Sequence, residues 1–418
     1  MRTQWTCVVV ALAAASLVGC GSPNTSNDGG AGGGSGGSAG GGTGGGDVGG
    51  GTGGGSTGGG AAGGGSGGGA TGGGTGGGAA GGGTGGGAAG GGTGGGAAGG
   101  GTGGGAAGGG TGGGAAGGGT GGGNIPYVFV IAMENKSQTS VYGSGSATYI
   151  NTTLMMQYGH STNYVDCVSL SVPSEPHYVW MEGGTNVFSD HTFTTDNDPS
   201  ASNSTADTSH LIAQLRAAGK TWRSYQEDIS ASTTGMCPIQ SVFPYAAKHD
   251  PFIFFTDVSG SPPSKTTADC VAHHRAYTPA GFQADLNAGD VANYTFITPN
   301  LCNDMHGDGN CTNGCTLGLL PACTSAGDGW LAANVPPIIA FMQAHGGVLF
   351  IVWDEPEITS TQPFLVVGPH VKVMHTSTVQ YTHSSYVKSI EEILGLPVST
   401  RVSSANDFAD FFDTGHFP

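Results

Sequence analysis

Basic side chains are scarce in this chain. Its 418 residues include 11 Lys and Arg against 28 Asp and Glu, which gives a formal net charge of −17 at pH 7. An acidic chain repels phosphate backbones and anionic lipid headgroups, so we exclude nucleic acid as a partner and charge-driven docking on a membrane surface. An anionic substrate would need a local positive charge, and bound metal ions are the obvious source.

The sequence also has no apolar run that is long enough to span a bilayer. The run from Cys7 to Val18 is too short to span a bilayer. Because Arg2 precedes it and the lipobox-like Leu17-Val-Gly-Cys20 closes it, the run is typical of a bacterial lipoprotein signal. We therefore expect residues 1–19 to be removed as a signal peptide and Cys20 to be lipidated. The protein would then be exported and held at the outer membrane or cell surface by that lipid alone.

Large side chains are absent from most of residues 20–123. This segment is mainly Gly with Ala, Thr and Ser, and a nine-residue Gly-Gly-Gly-Thr-Gly-Gly-Gly-Ala-Ala unit repeats from Gly72. A solenoid is excluded because no large apolar side chain offsets the entropy of ordering, and collagen needs a three-residue period with proline. We predict a disordered Gly-rich tether with a typical span of roughly 50–60 Å.

Residues 124–418 are long enough for one large α/β domain. Two unbroken apolar runs, Tyr127 to Met133 and Val348 to Trp353, predict strands that are buried on both faces of a parallel sheet. The first run ends at Glu134 and the second at Asp354-Glu355. Ligands bind at the carboxyl ends of such strands, and adjacent buried carboxylates repel each other unless a cation lies between them.

Three other segments offer candidate chemistry. Ser174 lies just before Pro176 at a predicted helix start, where it is either an ordinary cap or a serine whose alkoxide the helix terminus stabilises. Asp304 and His306 are two residues apart, so in an extended segment they project to one side and could grip one cation. His383 opens a late helix, either as a ligand or as a neutral cap residue.

Two further segments have an ordinary structural interpretation. His249 could bind a phosphate, but a structural hydrogen bond is the preferred interpretation for one loop histidine. The segment from Gly329 to Ala344 is expected to be mainly helical, with an interruption at Pro336-Pro337.

Seven cysteines remain in the predicted domain, and an exported protein can form disulfides. A bridge between Cys237 and Cys270 is our guess. The cluster from Cys302 to Cys323 could be a zinc knot, since Cys311-x3-Cys315 is close to metal spacing, but bridges are favoured in an oxidising compartment.

Several motifs, taken in order, resemble the bacterial phosphoesterase family of secreted acid phosphatases and phospholipases C. They are Met-Glu-Asn-Lys-Ser137, Pro-Ser-Glu-Pro-His-Tyr178, Lys-His-Asp-Pro-Phe252, Thr-Pro-Asn-Leu-Cys-Asn-Asp-Met-His306, Gly-Asp-Gly-Trp-Leu331, Trp-Asp-Glu355 and His-Ser-Ser385. The resemblance implies an alkaline phosphatase-like three-layer α/β sandwich, with a central, mostly parallel sheet and helices on both faces.

The resemblance also implies residue roles. Ser174 would be the nucleophile that forms a phosphoseryl intermediate, with Ser171 as a fallback. Ligands of a divalent cation of open identity would be Glu134, Asn135, Asp354 and Glu355. A second cation, or the leaving group, would be held by Asp304, His306 and His383. Substrate contacts are implied for Lys136 and His177.

The implied function is metal-dependent hydrolysis of phosphate monoesters. The family usually reads Ser-Leu-Pro-Asn-Tyr, whereas this chain has Glu175 and His177 at the second and fourth of these positions. A phospholipase C or other phosphodiesterase is one alternative, although the chain lacks the C-terminal β-rich region of the longer phospholipases C. A surface binding module without turnover is the other, because the two departures lie beside the nucleophile.

Overall fold

The computed structural model describes residues 125–168, 171–229, 235–316 and 321–418. The predicted signal peptide, the lipidation of Cys20 and the Gly-rich tether concern residues that lie outside these ranges. Within the same ranges, no helix combines the length and the apolar character needed to cross a membrane.

Ten strands lie in the described ranges. They are β1 (Val128–Met133), β2 (Gly159–Ser161), β3 (Tyr164–Val165), β4 (Trp222–Glu227), β5 (His274–Tyr277), β6 (Tyr294–Thr298), β7 (Val348–Trp353), β8 (Thr361–Gln362), β9 (Phe364–Val367) and β10 (Thr376–Ser377). Eight of them form the central sheet in the order β10-β2-β9-β7-β1-β6-β4-β5, and β3 pairs with β8 in a separate small sheet.

The apolar strand β1 lies in the middle of the central sheet. All six of its residues are buried, as expected for a strand that is covered on both faces. It pairs in parallel with β6 on one side and with β7 on the other, while β9 runs antiparallel between β7 and β2. The register aligns Met133 with Trp353, so the residues that follow, Glu134 and Asp354, leave the sheet side by side.

Helices cover both faces of this sheet. They are α1 (Gln138–Val141), α2 (Met155–Gln157, preceded by the π-helical turn Ile150–Leu154), α3 (Ser174–Gly183), α4 (Leu211–Ala217), α5 (Thr256–Ser259), α6 (Ala268–His273), α7 (Pro279–Ala288), α8 (Pro321–His345) and α9 (His383–Ile393), with 3-10 turns at Ala247–His249, Pro251–Phe254 and Ala409–Phe411. Alternate residues of β1 pack into two cores, one containing α3, α4 and α9 and the other containing α7 and α8. The predicted three-layer α/β fold with a mostly parallel sheet is confirmed.

The predicted interruption at Pro336-Pro337 is wrong, because α8 runs without a break through both prolines. Each proline lacks the N–H that an interior helical hydrogen bond needs. Leu331, Val335 and Ile338 are nonetheless fully buried in the core beneath the sheet. Burial of this apolar face outweighs the lost hydrogen bonds, as tertiary packing commonly does in helices.

Three disulfides join described cysteines. The expected Cys237–Cys270 bridge is present. The other two are Cys302–Cys311 and Cys315–Cys323, so this cluster is disulfide-bonded and the zinc-knot alternative is wrong.

Candidate active site

Three buried carboxylates meet at the carboxyl ends of β1 and β7. Glu134 directly follows β1, Asp354 directly follows β7, and Asp304 lies in the turn beyond β6; none is more than 1% exposed. The Glu134 N–H donates to the Asp304 carbonyl oxygen at 2.8 Å, and the Asn135 N–H donates to Asp354 Oδ1 at 2.9 Å. Backbone hydrogen bonds therefore hold the three segments in fixed positions.

Burial makes these carboxylates costly to ionise. Burial raises the pKa of Asp304 and of Asp354 well above the usual range, and the neighbouring Glu134 raises both further. Burial also raises the pKa of Glu134, and nearby His306 and Lys248 offset only part of that rise.

One oxygen of each carboxylate has no hydrogen-bond partner among the described residues. These atoms are Asp304 Oδ2, Asp354 Oδ2 and Glu134 Oε1, the last of which lies 3.2 Å from His249 Nε2 without forming a hydrogen bond. A buried polar atom without a hydrogen bond costs free energy, and a cation bound at these oxygens would offset that cost. Oxygen donors of this kind suit hard divalent cations, so the residues fit the metal that the resemblance implies.

Ser174 is the first residue of α3, directly after the helix cap Pro173. Its hydroxyl donates to Glu134 Oε2 at 3.1 Å and lies 3.5 Å from Asn135 Oδ1. The side chain lines a cavity of about 460 Å³. Since the first-turn N–H groups of a helix have no helical acceptor, a phosphate attached to this oxygen would lie near backbone donors.

Lys248 and Asp196 line the same cavity and were not among the residues that the sequence pointed to. Lys248 forms an ion pair with Asp196. Burial alone would lower the Lys248 pKa, but Glu134 and Asp196 raise it above its usual value. The raised pKa favours the charged ammonium form of Lys248 in the cavity that Ser174 also lines. The one indication of Lys248 in the sequence was its place in the Lys-His-Asp-Pro motif.

The Asp304–His306 segment is not extended, so that prediction is wrong. Met305 between them has φ +85°, in the left-handed region. Asp304 Oδ1 accepts the His306 N–H at 2.8 Å, while the His306 side chain lines the cavity. The Met305 side chain packs at Gly327 of α8, where a Cβ would lie 2.3 Å from Met305 Cγ. The Asp304 carboxylate is thus fully buried, whereas the His306 side chain faces the cavity.

His249 lies inside the carboxylate group rather than in a separate structural hydrogen bond. Its Nε2 is 3.2 Å from Glu134 Oε1, its Nδ1 is 3.9 Å from Asp304 Oδ2, and its ring stacks on Tyr178. Burial holds the His249 pKa well below its ordinary value, so the ring is neutral. A neutral imidazole is a potential metal ligand.

Glu355 lies behind Asn135. Its Oε1 accepts from Asn135 Nδ2 at 3.0 Å, and its Oε2 is 3.5 Å from His177 Nε2. Burial raises the Glu355 pKa to about 7, although His177 counteracts part of this effect. Glu355 also lines the cavity, so it connects the surroundings of Ser174 with His177 behind them.

Lys136 and His177, the two expected substrate contacts, do not line the cavity as far as the structure describes it. Lys136 Nζ lies 2.5 Å from Glu357 Oε1 in a buried ion pair. His177 lies between Glu355 and Asp166, 3.1 Å from Asp166 Oδ1. Lys136 instead lines a neighbouring cavity that also contains Glu357, and direct substrate contact of Lys136 and His177 stays a prediction.

His383 is also behind the site. Its Nε2 is 2.6 Å from the carbonyl oxygen of Asp354, and its Nδ1 is 3.0 Å from the Tyr164 hydroxyl. Burial lowers the His383 pKa to about 4, which leaves a neutral ring. The expected grouping with Asp304 and His306 around a second cation is absent from the described residues, because His383 faces the main chain behind Asp354.

A model of the phosphoesterase family matches residues 152–317. Over this range the chain is similar to that family. The chain is 25% identical over 288 residues to the phosphatidylinositol-3-phosphatase of Mycobacterium tuberculosis, covering 68% of this chain and 82% of that protein. It is 30% identical over 255 residues to the phosphate-repressible acid phosphatase of Penicillium chrysogenum, covering 56% of this chain and 52% of that protein.

One solved structure that is similar to this chain is a protein in the alkaline phosphatase superfamily from Vibrio parahaemolyticus. The two share a TM-score of 0.43 and 11% identity over 67% of this chain and 69% of that chain. The family-model match agrees with the resemblance that the motifs carry. The matched range contains Ser174, Asp304 and His306, whereas Glu134 and Asp354 lie outside it.

Proposed function

We propose that this phosphoesterase hydrolyses phosphate monoesters through Ser174, with a divalent cation at the buried carboxylates. The observation that carries the proposal is the hydroxyl of Ser174 at a helix start, 3.1 Å from Glu134 Oε2, beside carboxylates that each have one oxygen without a hydrogen bond among the described residues. The names of the two curated relatives, a phosphatidylinositol phosphatase and an acid phosphatase, support a monoester substrate.

The reaction would proceed in two displacements. Ser174 Oγ attacks phosphorus and the ester P–O bond breaks, while the hydroxyl proton leaves along the hydrogen bond to Glu134. His306, in the same cavity, would give a proton to the departing oxygen, and Lys248 would balance charge on the phosphoryl group. Water then hydrolyses the phosphoserine with the roles reversed.

The cation would be held by Glu134, Asn135, Asp304 and Asp354, with His249 at hand as a nitrogen donor. When bound, it would supply charge stabilisation for the entering and leaving oxygens. His383 would act as a positioning residue, because it contacts the Asp354 main chain. Export and anchoring through Cys20 belong to the same proposal and rest on residues 1–123 alone.

The test compares Ser174→Ala with wild type in phosphate release from p-nitrophenyl phosphate and bis-p-nitrophenyl phosphate, with and without EDTA. We expect the Ala variant to lose about 1,000-fold or more in kcat. Its melting temperature should stay near that of wild type, because a single hydrogen bond is lost. EDTA should abolish monoester hydrolysis by wild type.

Ser171→Ala is the matched control, since Ser171 lines the same cavity. Full activity of Ser174→Ala together with an inactive Ser171→Ala would move the nucleophile to Ser171. Preference for the diester would make a phosphodiesterase the better conclusion.

A further inference from the structure

A second group of metal-binding side chains lies behind the cavity. One ligand atom from each of Asp166, His177 and His383 lies within 4.8 Å of the other two. The Asp166 side chain is 6% exposed, and both imidazoles are fully buried. The three come from separate segments, namely the residue after β3, the first half of α3 and the first residue of α9. Tertiary folding alone brings them together.

The orientation of the two imidazoles is that of metal ligands. A ligating histidine usually donates its other ring N–H to a carbonyl or carboxylate oxygen. His383 Nε2 faces the Asp354 carbonyl at 2.6 Å, so the lone pair is on Nδ1. His177 Nε2 faces the Val172 carbonyl at 3.4 Å and Glu355 Oε2 at 3.5 Å, which leaves Nδ1 toward Asp166.

Asp166 gives an independent indication of a ligand. Its Oδ1 accepts the Val168 N–H at 2.9 Å and faces His177. Its Oδ2 is buried and has no hydrogen-bond partner within the described ranges. The Tyr164 hydroxyl, 3.0 Å from His383 Nδ1, is the group that a cation at this position would replace. Buried carboxylate oxygens without a partner are rare, and a cation accounts for this one.

We propose that Asp166, His177 and His383 bind a zinc-type divalent cation at a site separate from the one at Glu134, Asp304 and Asp354. Two imidazoles and one carboxylate form a donor set that suits zinc, whereas the oxygen-rich set suits harder ions. Glu355 connects the sites, because one of its oxygens accepts from Asn135 and the other faces His177.

This second cation would link the start of α3 and the start of α9 to Asp166, directly after β3. The inference goes beyond the proposed hydrolysis and does not need it, since binding is measurable without substrate.

The experiment is a titration of the metal-stripped full chain with Zn²⁺ alone, in competition with a chromophoric chelator. Asp166→Asn and His177→Asn remove one donor each with little change in shape. We expect wild type to bind one more equivalent of Zn²⁺ than either variant, or each variant to bind that equivalent at least about 10-fold more weakly. Asp354→Asn should keep it, because its side chain belongs to the other site.

His375→Asn is the matched control, since it also removes an imidazole that faces a carboxylate, Asp410, at 2.9 Å. It should bind Zn²⁺ as wild type does. Co²⁺ is a second probe, and the visible absorption of a tetrahedral Co²⁺ site should be present in wild type and His375→Asn and absent from His177→Asn.

Zinc content and Co²⁺ spectra that are unchanged in both Asp166→Asn and His177→Asn would overturn the proposal. So would a wild-type protein whose only equivalent disappears in Asp354→Asn. If one variant fails to fold, as judged by its melting curve in EDTA, the other decides the result. Inactivity of the wild-type enzyme toward phosphate esters would count against the proposed function and leave this binding result intact.

Discussion

Glu175, directly after the proposed nucleophile, is a buried carboxylate in a position where the family usually has Leu. Its Oε2 accepts from Thr195 Oγ1, the Asn197 N–H and Asn203 Nδ2 at 3.0, 2.8 and 3.1 Å. The same loop carries Asp196, the partner of Lys248 in the cavity. Glu175 thereby helps to hold the segment that carries the Asp196–Lys248 ion pair in the cavity.

The Glu175 carboxyl should make stability depend on pH. Burial raises its pKa from 4.5 to about 7, and its hydrogen bonds offset only part of the rise. Between these two values the folded state holds a proton that the unfolded state releases, so stability falls as pH rises through this window. We expect Glu175→Gln to gain stability relative to wild type from pH 4.5 to about 7, measured by urea unfolding.

Asp413→Asn, at an exposed position, is the control for this comparison. A difference in unfolding free energy between Glu175→Gln and wild type that stays constant across the window would contradict the role given to Glu175.

The residues of the candidate site differ in how far the sequence reveals them. Glu134 and Asp354 end unbroken apolar runs, so the strand pattern itself points to them. Asp166 and Lys248 are single polar residues in loops, and their partners are set by tertiary contacts such as Asp166 with His383, which no local pattern encodes. They could not be predicted from spacing.

At the scale of elements, α3 is held at both ends. Ser174 at its start faces Glu134, and Glu182 near its end accepts from His210 Nδ1 at 2.6 Å. His210 Nε2 lies 3.1 Å from Asp257 Oδ1. One buried imidazole therefore joins α3 to α5 and to the start of α4.

His210 should stabilise the fold mainly below neutral pH. Burial alone would lower its pKa, but Asp257 and Glu182 raise it from 6.5 to about 9. A raised histidine pKa contributes fully below 6.5 and is lost as pH rises through about 9. We expect His210→Gln to lose about 3–5 kcal/mol of unfolding free energy below pH 6.5, and less as pH rises through about 9.

Melting curves at both ends of this window check the expectation, with His375→Gln as the control for a partly exposed histidine–carboxylate pair. An equal loss in His210→Gln at both pH values would mean that the ring acts through packing and not through its charge.

Strands and helices were not equally predictable. The sequence identified β1 and β7 because an unbroken run of apolar, β-branched and aromatic residues is typical of a strand that is buried on both faces of a sheet. The prediction for α8 was wrong because the local sequence shows only the cost of proline inside a helix, about 3 kcal/mol or more. The burial that outweighs it comes from a core built by strands far away in sequence.

For the whole molecule, charge is the dominant feature. Residues 124–418 contain 10 of the 11 Lys and Arg and 26 of the 28 Asp and Glu, so the predicted domain carries 10 − 26 = −16. Among the described residues that line the cavity, Lys248 is the one lysine or arginine. It opposes the negative electrostatic potential of the domain. Diffusion of anionic substrates toward the site should be slowed by repulsion.

Salt should therefore accelerate the capture of dianionic substrates. Raising ionic strength from about 0.01 to about 0.15 M shortens the Debye length from about 30 to about 8 Å. We expect kcat/KM for a sugar monophosphate to rise several-fold at a fixed concentration of divalent cation. Phosphocholine, whose trimethylammonium group offsets one charge, should change less. A kcat/KM that falls with salt for the sugar phosphate would show that local attraction outweighs the field of the domain.

Gly327 in α8 limits how this enzyme can be engineered for heat resistance. Replacing a helical glycine with alanine is a routine way to gain about 0.5–1 kcal/mol. At Gly327 the added methyl would lie 2.3 Å from Met305 Cγ and 2.9 Å from Met133 Cε. Those methionines adjoin Asp304 and Glu134, so a substitution chosen to make the scaffold more stable would instead displace the side chains that pack next to two of the buried carboxylates.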